Sequence, residues 1–372
     1  MTAIESICRA WLGKQPFAVS PLASAGMSGS SVFLVSSSES LGSTAGVAAQ
    51  LDRFILKNFT WETSTPHAQW VHGLMIHLRS QGVCQVAEVM RSQAGETIVI
   101  DPSGTLWELV RFMPGGPLRQ PSLTQAAAAL ETLAKLHIAA TRLAPGPRIG
   151  LSPGEAHRTI QAVQLLHNPW QQRRDAIWHK QQSLQPRHGK TVRPDRWPLI
   201  ERMDAAIAIF AAFNGKEALE QMIKRKPCPL PLTPVLRDLW SDHMLFTKSP
   251  HSPTHSPSAI IDFHAAGIDT PATDLARLLG SWQSPSSDKK ATLVVAWQEA
   301  IAAYAAVRPL CNGERGLLST LHFTGIVIGL DNWFRWTLQE DRTFTDSQAV
   351  LERIDCLLDR FACVLAAPQS QP

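Results

Sequence analysis

Residues 236–246 read LRDLWSDHMLF, and after a loop rich in Ser, Pro and His the chain reads AIIDF at residues 259–263. Each segment joins one aspartate to a short apolar run that is typical of a buried strand: Asp238 precedes the run 244–246, and Asp262 follows the run 259–261. A carboxylate at the edge of a buried strand is costly unless something binds it. This pattern predicts a functional site, whereas turn or capping roles are the alternative for both aspartates.

Phosphoryl transfer needs two carboxylates with different tasks. One orients the attacking hydroxyl, and the other holds the metal ion that bridges the nucleotide phosphates. An Asp, a short loop, a strand, a turn and then Ile-Asp-Phe is an order that suits this division. Asp238 and Asp262 are therefore the candidate carboxylates for these two tasks.

This order resembles the aminoglycoside phosphotransferase and choline kinase-like family, whose loop usually reads H-G-D-x-x-x-x-N and whose metal-binding segment reads I-D-[FW]. The run 239–241, Leu-Trp-Ser, is also similar to the loop of the fructosamine kinases. The resemblance implies an α+β, bilobal, protein-kinase-like fold, with a small antiparallel β-sheet lobe containing one main helix and a larger, mostly helical lobe. It also implies ATP and Mg²⁺ as cofactors and the hydroxyl of a small molecule as the phosphate acceptor.

The loop departs from the family pattern at three positions. Leu236 and Arg237 stand where the family has His and Gly, and His243 occupies the position of the metal-binding Asn. Asn offers an oxygen, which Mg²⁺ prefers, whereas imidazole offers a nitrogen, which suits softer metals. His243 is thus a second candidate metal ligand, and a hydrogen bond within the loop is its alternative role.

Two upstream features are expected to bind the nucleotide. A turn containing Gly26, Ser28 and Gly29 precedes an apolar strand, and glycine lets backbone N–H groups approach phosphates closely. Lys57 lies in the apolar run FILKNF, where kinases place the lysine that binds the α- and β-phosphates. A small-residue hairpin and an exposed strand lysine are the alternative interpretations.

The helix expected over residues 67–81 lacks a feature of active kinases. Kinases usually offer a Glu from this helix to the strand lysine, but no carboxylate occurs between Glu62 and Glu88. Gln69 is nearest to the expected place, and its amide can form a hydrogen bond with Lys57 but cannot neutralise it. This absence favours an alternative in which the chain is a nucleotide-binding scaffold that has lost catalysis.

A Pro-Gly-Gly run at 114–116 predicts a boundary between two lobes, residues 1–113 and 114–372. By resemblance, the hinge residues before this run bind adenine through their backbone groups: Arg111, Phe112 and Met113. An insert at about 145–230 is expected to form the acceptor-binding face. The insert is rich in Lys and Arg, which disfavours a polycationic acceptor through Coulomb repulsion, although a solvated surface without a ligand role is the alternative.

Composition excludes several classes of protein. The 372-residue chain has a net charge of +4, which is too small to indicate nucleic-acid binding. Six widely spaced cysteines form no C-x-x-C pair and indicate reduced thiols rather than a disulfide framework. The N-terminus lacks the apolar core of a secretory signal, and no apolar stretch is long enough to span a membrane. These features predict a cytoplasmic protein with neither membrane nor nucleic-acid partners.

A protein kinase is a third hypothesis, because Arg237 and Asp238 form the Arg-Asp pair of protein-kinase loops. However, His264 stands where the glycine of the D-F-G motif would be, and no A-P-E segment follows. The hypothesis of a small-molecule phosphotransferase accounts for more of the chain.

Overall fold

The computed structural model describes residues 3–22, 30–37, 52–60, 63–143, 148–183, 196–248, 255–283, 292–344 and 346–366. The chain groups into two compact units. The first contains Met1–Gly146, Pro234–Gly267 and Ala303–Arg308, and the second contains Pro147–Thr233, Ile268–Ala302 and Pro309–Pro372. The first unit therefore holds both the N-terminal region and the segment with Asp238 and Asp262. The lobe boundary at residue 113 divides the chain differently and stays a prediction.

A five-stranded antiparallel sheet forms the centre of the first unit. The strands are β1 (Phe17–Pro21), β2 (Val32–Ser37), β3 (Asp52–Asn58), β4 (Ile98–Ile100) and β5 (Leu106–Arg111), in the order β1-β2-β3-β5-β4. Side chains alternate between the two faces of such a sheet. In β3, Phe54 and Leu56 are buried against helix α1 (Ala3–Leu12), so Lys57 projects from the opposite face.

Helices α2 (Thr65–Ser80) and α3 (Leu123–Thr141) complete this part of the first unit. Ser64 begins α2 by accepting a hydrogen bond from the His67 N–H group, and Ser122 begins α3 in a capping box with Gln125. His77 of α2 donates from Nε2 to the Ala139 carbonyl of α3 over 3.0 Å. Local capping and this contact fix the two helices together.

A second sheet of the first unit carries the two predicted site segments. Its strands are β6 (Gly116–Pro117), β9 (Met244–Lys248) and β10 (His255–Ile260), in the antiparallel order β10-β9-β6. A single 3₁₀ turn, Ser241–His243, precedes β9. The Ile261 N–H group donates to the His243 carbonyl over 2.9 Å. The start of β9 and the end of β10 are therefore side by side, which brings Asp238 and Asp262 into the same region.

Gly115 lies where the chain enters β6, with φ at +130°. A Cβ atom at this position would lie 2.5 Å from Ser258 Oγ and 3.0 Å from the Phe246 carbonyl oxygen. We expect Gly115→Ala to lower the free energy of unfolding by about 3 kcal/mol, because both the backbone conformation and the close approach exclude a side chain. Urea denaturation measures the change.

Gly116→Ala is the matched control. No atom lies within 4 Å of a Cβ atom added to Gly116, and the φ angle of Gly116 is not positive. Equal stability of the two alanine variants would contradict the steric explanation for Gly115.

The second unit is mostly helical. Its helices are α4 (Pro153–His167), α5 (Trp170–Ser183), α6 (Trp197–Ala212), α7 (Gly215–Lys224), α8 (Ala272–Ser281), α9 (Leu293–Ala296), α11 (Asn312–Phe334) and α12 (Ser347–Ala366), and α10 (Gln298–Val307) passes from this unit into the first. Three short strands, β7 (Arg148–Gly150), β8 (Leu230–Val235) and β11 (Gly267–Asp269), form a sheet in the order β11-β8-β7.

Aromatic side chains dominate the core of the second unit. Trp170 packs against Phe210, Phe334 and Phe361, with ring centroids 5.7 to 6.0 Å apart. Large buried rings contribute much of the apolar area that stabilises a domain. Among the residues that the structure covers, none of the helices combines the length and the apolar character needed to cross a bilayer.

Candidate active site

An ion pair between β3 and the end of β10 forms the centre of the site. Lys57 Nζ lies 2.9 Å from Asp262 Oδ1, although the two residues are distant in the sequence. Their side chains are 13% and 30% exposed, so the pair is shielded but still reachable from solvent. Asp262 has φ at +63°, a left-handed conformation that Asp and Asn adopt more readily than most residues.

Lys57, His243 and His264 surround the Asp262 carboxylate. Burial alone raises the pKa of this group, but the Coulombic influence of Lys57, with smaller contributions from His243 and His264, outweighs burial and holds the pKa of Asp262 below its usual value. The carboxylate is therefore ionised at neutral pH. An ionised carboxylate is the form that binds a divalent cation.

The loop before β9 has its own constraints. Arg237 is left-handed, with φ at +64°, and its guanidinium carbon would lie 2.4 Å from a Cβ atom added to Gly267. Trp240 donates from its indole Nε1 to Asp238 Oδ1 over 2.5 Å. This hydrogen bond fixes one carboxylate oxygen of Asp238.

His243 connects the loop to Asp262. Its Nδ1 donates to the Asp238 carbonyl oxygen over 2.8 Å, because a carbonyl can only accept. Its Nε2 lies 3.7 Å from Asp262 Oδ2. Both roles considered for His243 are thus compatible with the geometry: one ring nitrogen makes the hydrogen bond within the loop, and the other faces the carboxylate.

The donor atoms fit a divalent cation that also binds phosphates. When Nδ1 of His243 carries the proton, Nε2 presents a lone pair next to Asp262 Oδ2, and the hydrogen bond at Nδ1 fixes this tautomer. Across the residues with described positions, no three His, Cys, Asp or Glu side chains group closely enough to hold a metal by themselves. Nucleotide-bound Mg²⁺ commonly has only one or two protein carboxylates and takes its other ligands from phosphates and water.

Two of the three hinge residues, Arg111 and Phe112, already donate their backbone N–H groups to other parts of the protein. The Arg111 N–H group donates to the Glu88 carbonyl and the Phe112 N–H group donates to the Arg53 carbonyl, over 2.8 and 2.9 Å. The Arg111 side chain forms ion pairs with Glu88 and Asp52. Adenine binding by the backbone of Arg111, Phe112 and Met113 stays a prediction.

The sequence predicts that a glycine turn covers the nucleotide phosphates. Gly26, Ser28 and Gly29 lie outside the described residues, in the segment that joins β1 to β2. The neighbouring strands are paired antiparallel, with Pro21 opposite Phe33. The role of the turn stays a prediction.

Sequence reasoning missed Glu108 of β5, which is buried beneath the site. It lies opposite Lys57 in the strand register and binds two histidines, His72 of α2 and His264. Of these three residues, only His264 stands out in the sequence, because it directly follows Ile-Asp-Phe. The partner carboxylate could not be found without the register of β3 and β5.

Arginines of the insert are largely paired with carboxylates. Arg174 binds Asp204 over 2.8 Å, Arg202 binds Asp355 over 2.6 Å, and Arg225 binds Glu155 over 2.8 Å. Arg173 and Arg196 form ion pairs with Asp331 and Asp341. The local positive charge is therefore smaller than the count of Lys and Arg suggests, and the Coulomb argument against a cationic acceptor loses much of its force.

Comparison with known proteins identifies the family. Residues 40–310 match the model of the phosphotransferase enzyme family, APH, which covers well over half of the chain. The chain therefore belongs to the phosphotransferase enzyme family. This membership confirms the predicted resemblance and, at the level of the family, the prediction of an ATP-dependent small-molecule phosphotransferase.

Individual relatives agree with this assignment. A homoserine kinase from Acidiphilium cryptum (strain JF-5) is 24% identical over 274 residues, covering 72% of this chain and 69% of the relative. The structure of the amicoumacin kinase hAmiN matches with a TM-score of 0.58 at 13% identity, covering 98% of this chain and 94% of that one. A spectinomycin phosphotransferase matches with a TM-score of 0.59 at 11% identity, covering 97% and 96%. These structures confirm the predicted α+β, protein-kinase-like fold.

Proposed function

We propose that this protein transfers the γ-phosphate of ATP to the hydroxyl of a small molecule. The observation that carries the proposal is the constellation of Lys57, Asp262 and His243, joined through His243 to the loop of Asp238. Phosphoryl transfer depends mainly on positioning and on neutralising charge, and this constellation offers a cation, a metal-binding carboxylate and a second carboxylate nearby.

Each residue has a separate role. Asp238, whose Oδ1 is held by Trp240, orients the acceptor hydroxyl and takes its proton. Lys57 binds the α- and β-phosphates, the turn with Gly26, Ser28 and Gly29 covers them, and the hinge at 111–113 binds adenine. The nucleotide-binding residues belong to the lobe 1–113, and the acceptor binds in the lobe 114–372.

Asp262 and His243 would hold the divalent cation, for which we propose Mg²⁺. Bound there, the cation would neutralise the charge of the phosphate oxygens during transfer. The imidazole nitrogen should make this site more tolerant of softer cations than a site with Asn at position 243.

We expect His243→Asn to lower the preference for Co²⁺ over Mg²⁺ about ten-fold, because an amide oxygen replaces an imidazole nitrogen. Calorimetric titration of ATP in the presence of each cation gives the ratio of affinities, and the visible absorption of Co²⁺ reports the nitrogen ligand directly. Asp242→Asn is the control, since Asp242 is exposed in the same loop. An unchanged ratio in His243→Asn would show that His243 is not a ligand.

The acceptor is a small molecule that carries a hydroxyl. The named relatives include a homoserine kinase, and a further structure with a TM-score of 0.53 is an aminopropanol kinase, so amino alcohols and hydroxy amino acids come first among the acceptors to test. A screen of ATP consumption with these compounds, sugars and polyols tests the proposal, with Asp238→Asn as the blank. Acceptor-dependent consumption that persists in Asp238→Asn would overturn the assignment of Asp238.

A catalytically impaired nucleotide-binding scaffold is the second candidate. Helix α2 carries no carboxylate, so it cannot supply the glutamate that pairs with the strand lysine in active kinases. Thermal unfolding with ATP, with and without Mg²⁺ or Mn²⁺, separates the two candidates. Stabilisation by ATP without any effect of the metal favours the scaffold.

The six cysteines support a cytoplasmic location, because all of them are free thiols.

A further inference from the structure

A buried carboxylate binds two imidazoles beneath the candidate site. Glu108 Oε2 accepts from His72 Nε2, and Glu108 Oε1 accepts from His264 Nε2, both over 2.8 Å. His72 and Glu108 are buried, and His264 is mostly buried. Burial alone raises the pKa of Glu108, but the charges and N–H groups of the two histidines bring the pKa of Glu108 far below its usual value. The carboxylate is ionised, so both imidazoles donate to it from Nε2.

His264 is held from three sides. Its ring stacks on Phe59, with centroids 4.0 Å apart and an interplanar angle of 17°. Its carbonyl oxygen accepts a hydrogen bond from His67 Nε2 over 2.9 Å. Glu108 holds its Nε2. The stack on Phe59 and the hydrogen bond to Glu108 fix the orientation of the His264 ring, and the hydrogen bond from His67 fixes its backbone.

These contacts connect the same two segments that form the ion pair. Lys57 and Phe59 belong to one segment, and Asp262 and His264 belong to the other, two residues apart in each case. The Lys57–Asp262 pair and the Phe59–His264 stack therefore cross-link the segments twice. Glu108 lies opposite Lys57 in the register and joins this cross-link to helix α2 through His72.

We propose that His264, Glu108 and His72 are positioning residues that set the orientation of Asp262 toward the nucleotide-bound cation. In this chain they perform the task of connecting α2 to the site, which α2 cannot perform with a carboxylate of its own. The inference rests on the proposed function, because the position of Asp262 matters for cation binding. It assigns to three residues outside the family motifs a measurable effect on metal-dependent nucleotide affinity.

The test compares variants that remove one property of the cluster at a time. His264→Phe keeps a ring against Phe59 but removes the N–H donor, whereas His264→Gln keeps a donor and removes the ring. Glu108→Gln leaves one acceptor and presents one donor, so one of the two imidazole N–H groups loses its acceptor. His77→Phe is the control: it removes an imidazole hydrogen bond of the same helix, to Ala139, that does not reach the cluster.

The measurement is the ratio of ATP affinity with Mg²⁺ to ATP affinity without it, by calorimetry on the full chain. We expect Glu108→Gln and His264→Phe to lower this ratio about ten-fold, the effect of losing an outer-shell partner of a metal ligand. His264→Gln should recover most of the loss, and His77→Phe should match the wild type. Thermal unfolding without ligand identifies any variant that fails to fold, and Glu108→Gln and His264→Phe test the inference independently.

A wild-type ratio in Glu108→Gln and His264→Phe would overturn the inference and leave the proposed function standing, because the cluster would then only stabilise the fold. Equal losses in His77→Phe would overturn it in the same way. A wild-type protein whose ATP affinity does not respond to the metal would remove the proposed function and this inference together.

Discussion

Asp238→Asn is expected to lower kcat about a thousand-fold while ATP affinity stays within about two-fold of the wild type. An amide cannot accept the proton of the attacking hydroxyl, but it matches the carboxylate in size and can still accept the hydrogen bond from the Trp240 indole. The hydrogen bond from His243 Nδ1 to the Asp238 main-chain carbonyl does not involve the substituted carboxylate. The substitution therefore removes the chemistry of one side chain and retains the loop.

Steady-state kinetics with the acceptor found in the screen give kcat, and calorimetry gives the ATP affinity. Asp242→Asn serves as the matched control, since it makes the same chemical change four residues later at an exposed position. A kcat near that of the wild type in Asp238→Asn would exclude Asp238 as the proton acceptor. A large loss of ATP affinity would instead indicate that Asp238 supports the nucleotide site.

Asp262→Asn has the second large effect: the enhancement of ATP affinity by Mg²⁺ should disappear. Asn is chosen because it tolerates the left-handed backbone at this position. A loss of the Mg²⁺ effect can then be assigned to the carboxylate and not to a change in backbone conformation. The substitution also leaves Lys57 without its ion-pair partner. We expect a loss of about 2 kcal/mol in unfolding free energy, below the range for a fully buried pair because Asp262 is partly exposed.

The double variant Lys57→Met/Asp262→Asn separates the two consequences. It removes the unpaired ammonium group, so stability should return toward the wild-type value, while the metal effect on ATP affinity stays absent. Calorimetry and urea denaturation on the same preparations provide both numbers. An Asp262→Asn protein whose ATP affinity still rises with Mg²⁺ would show that the cation is held elsewhere.

The sequence predicted the strands and motifs of the site better than its contacts. The apolar run around Lys57 and the Ile-Asp-Phe segment were visible because a short apolar run followed by a charged residue is a local pattern. The structure brings Lys57 and Asp262 to 2.9 Å. Which carboxylate pairs with Lys57 depends on the packing of distant segments, and no local pattern carries that information.

Two other features had no sequence signal of their own. Arg237 and Asp262 are left-handed, and neither is a glycine, which would have marked such a conformation. Glu108 reads as an ordinary strand residue, because only the register of β3 with β5 places it opposite Lys57. The missing carboxylate of α2 was correctly read from the sequence, but the histidine that α2 offers to Glu108 was not.

If the insert forms the acceptor-binding face predicted from the sequence, its paired arginines affect how acceptor choice can evolve. Asp341 and Asp355 are already on the surface, each masked by one arginine, Arg196 or Arg202. Replacing either arginine by a neutral residue would leave the negative charge of its aspartate unpaired. Selection could then favour binding of polyamine-like acceptors without introducing a new carboxylate. Acceptor charge in such a scaffold is then adjustable in single mutational steps, each of small energetic cost.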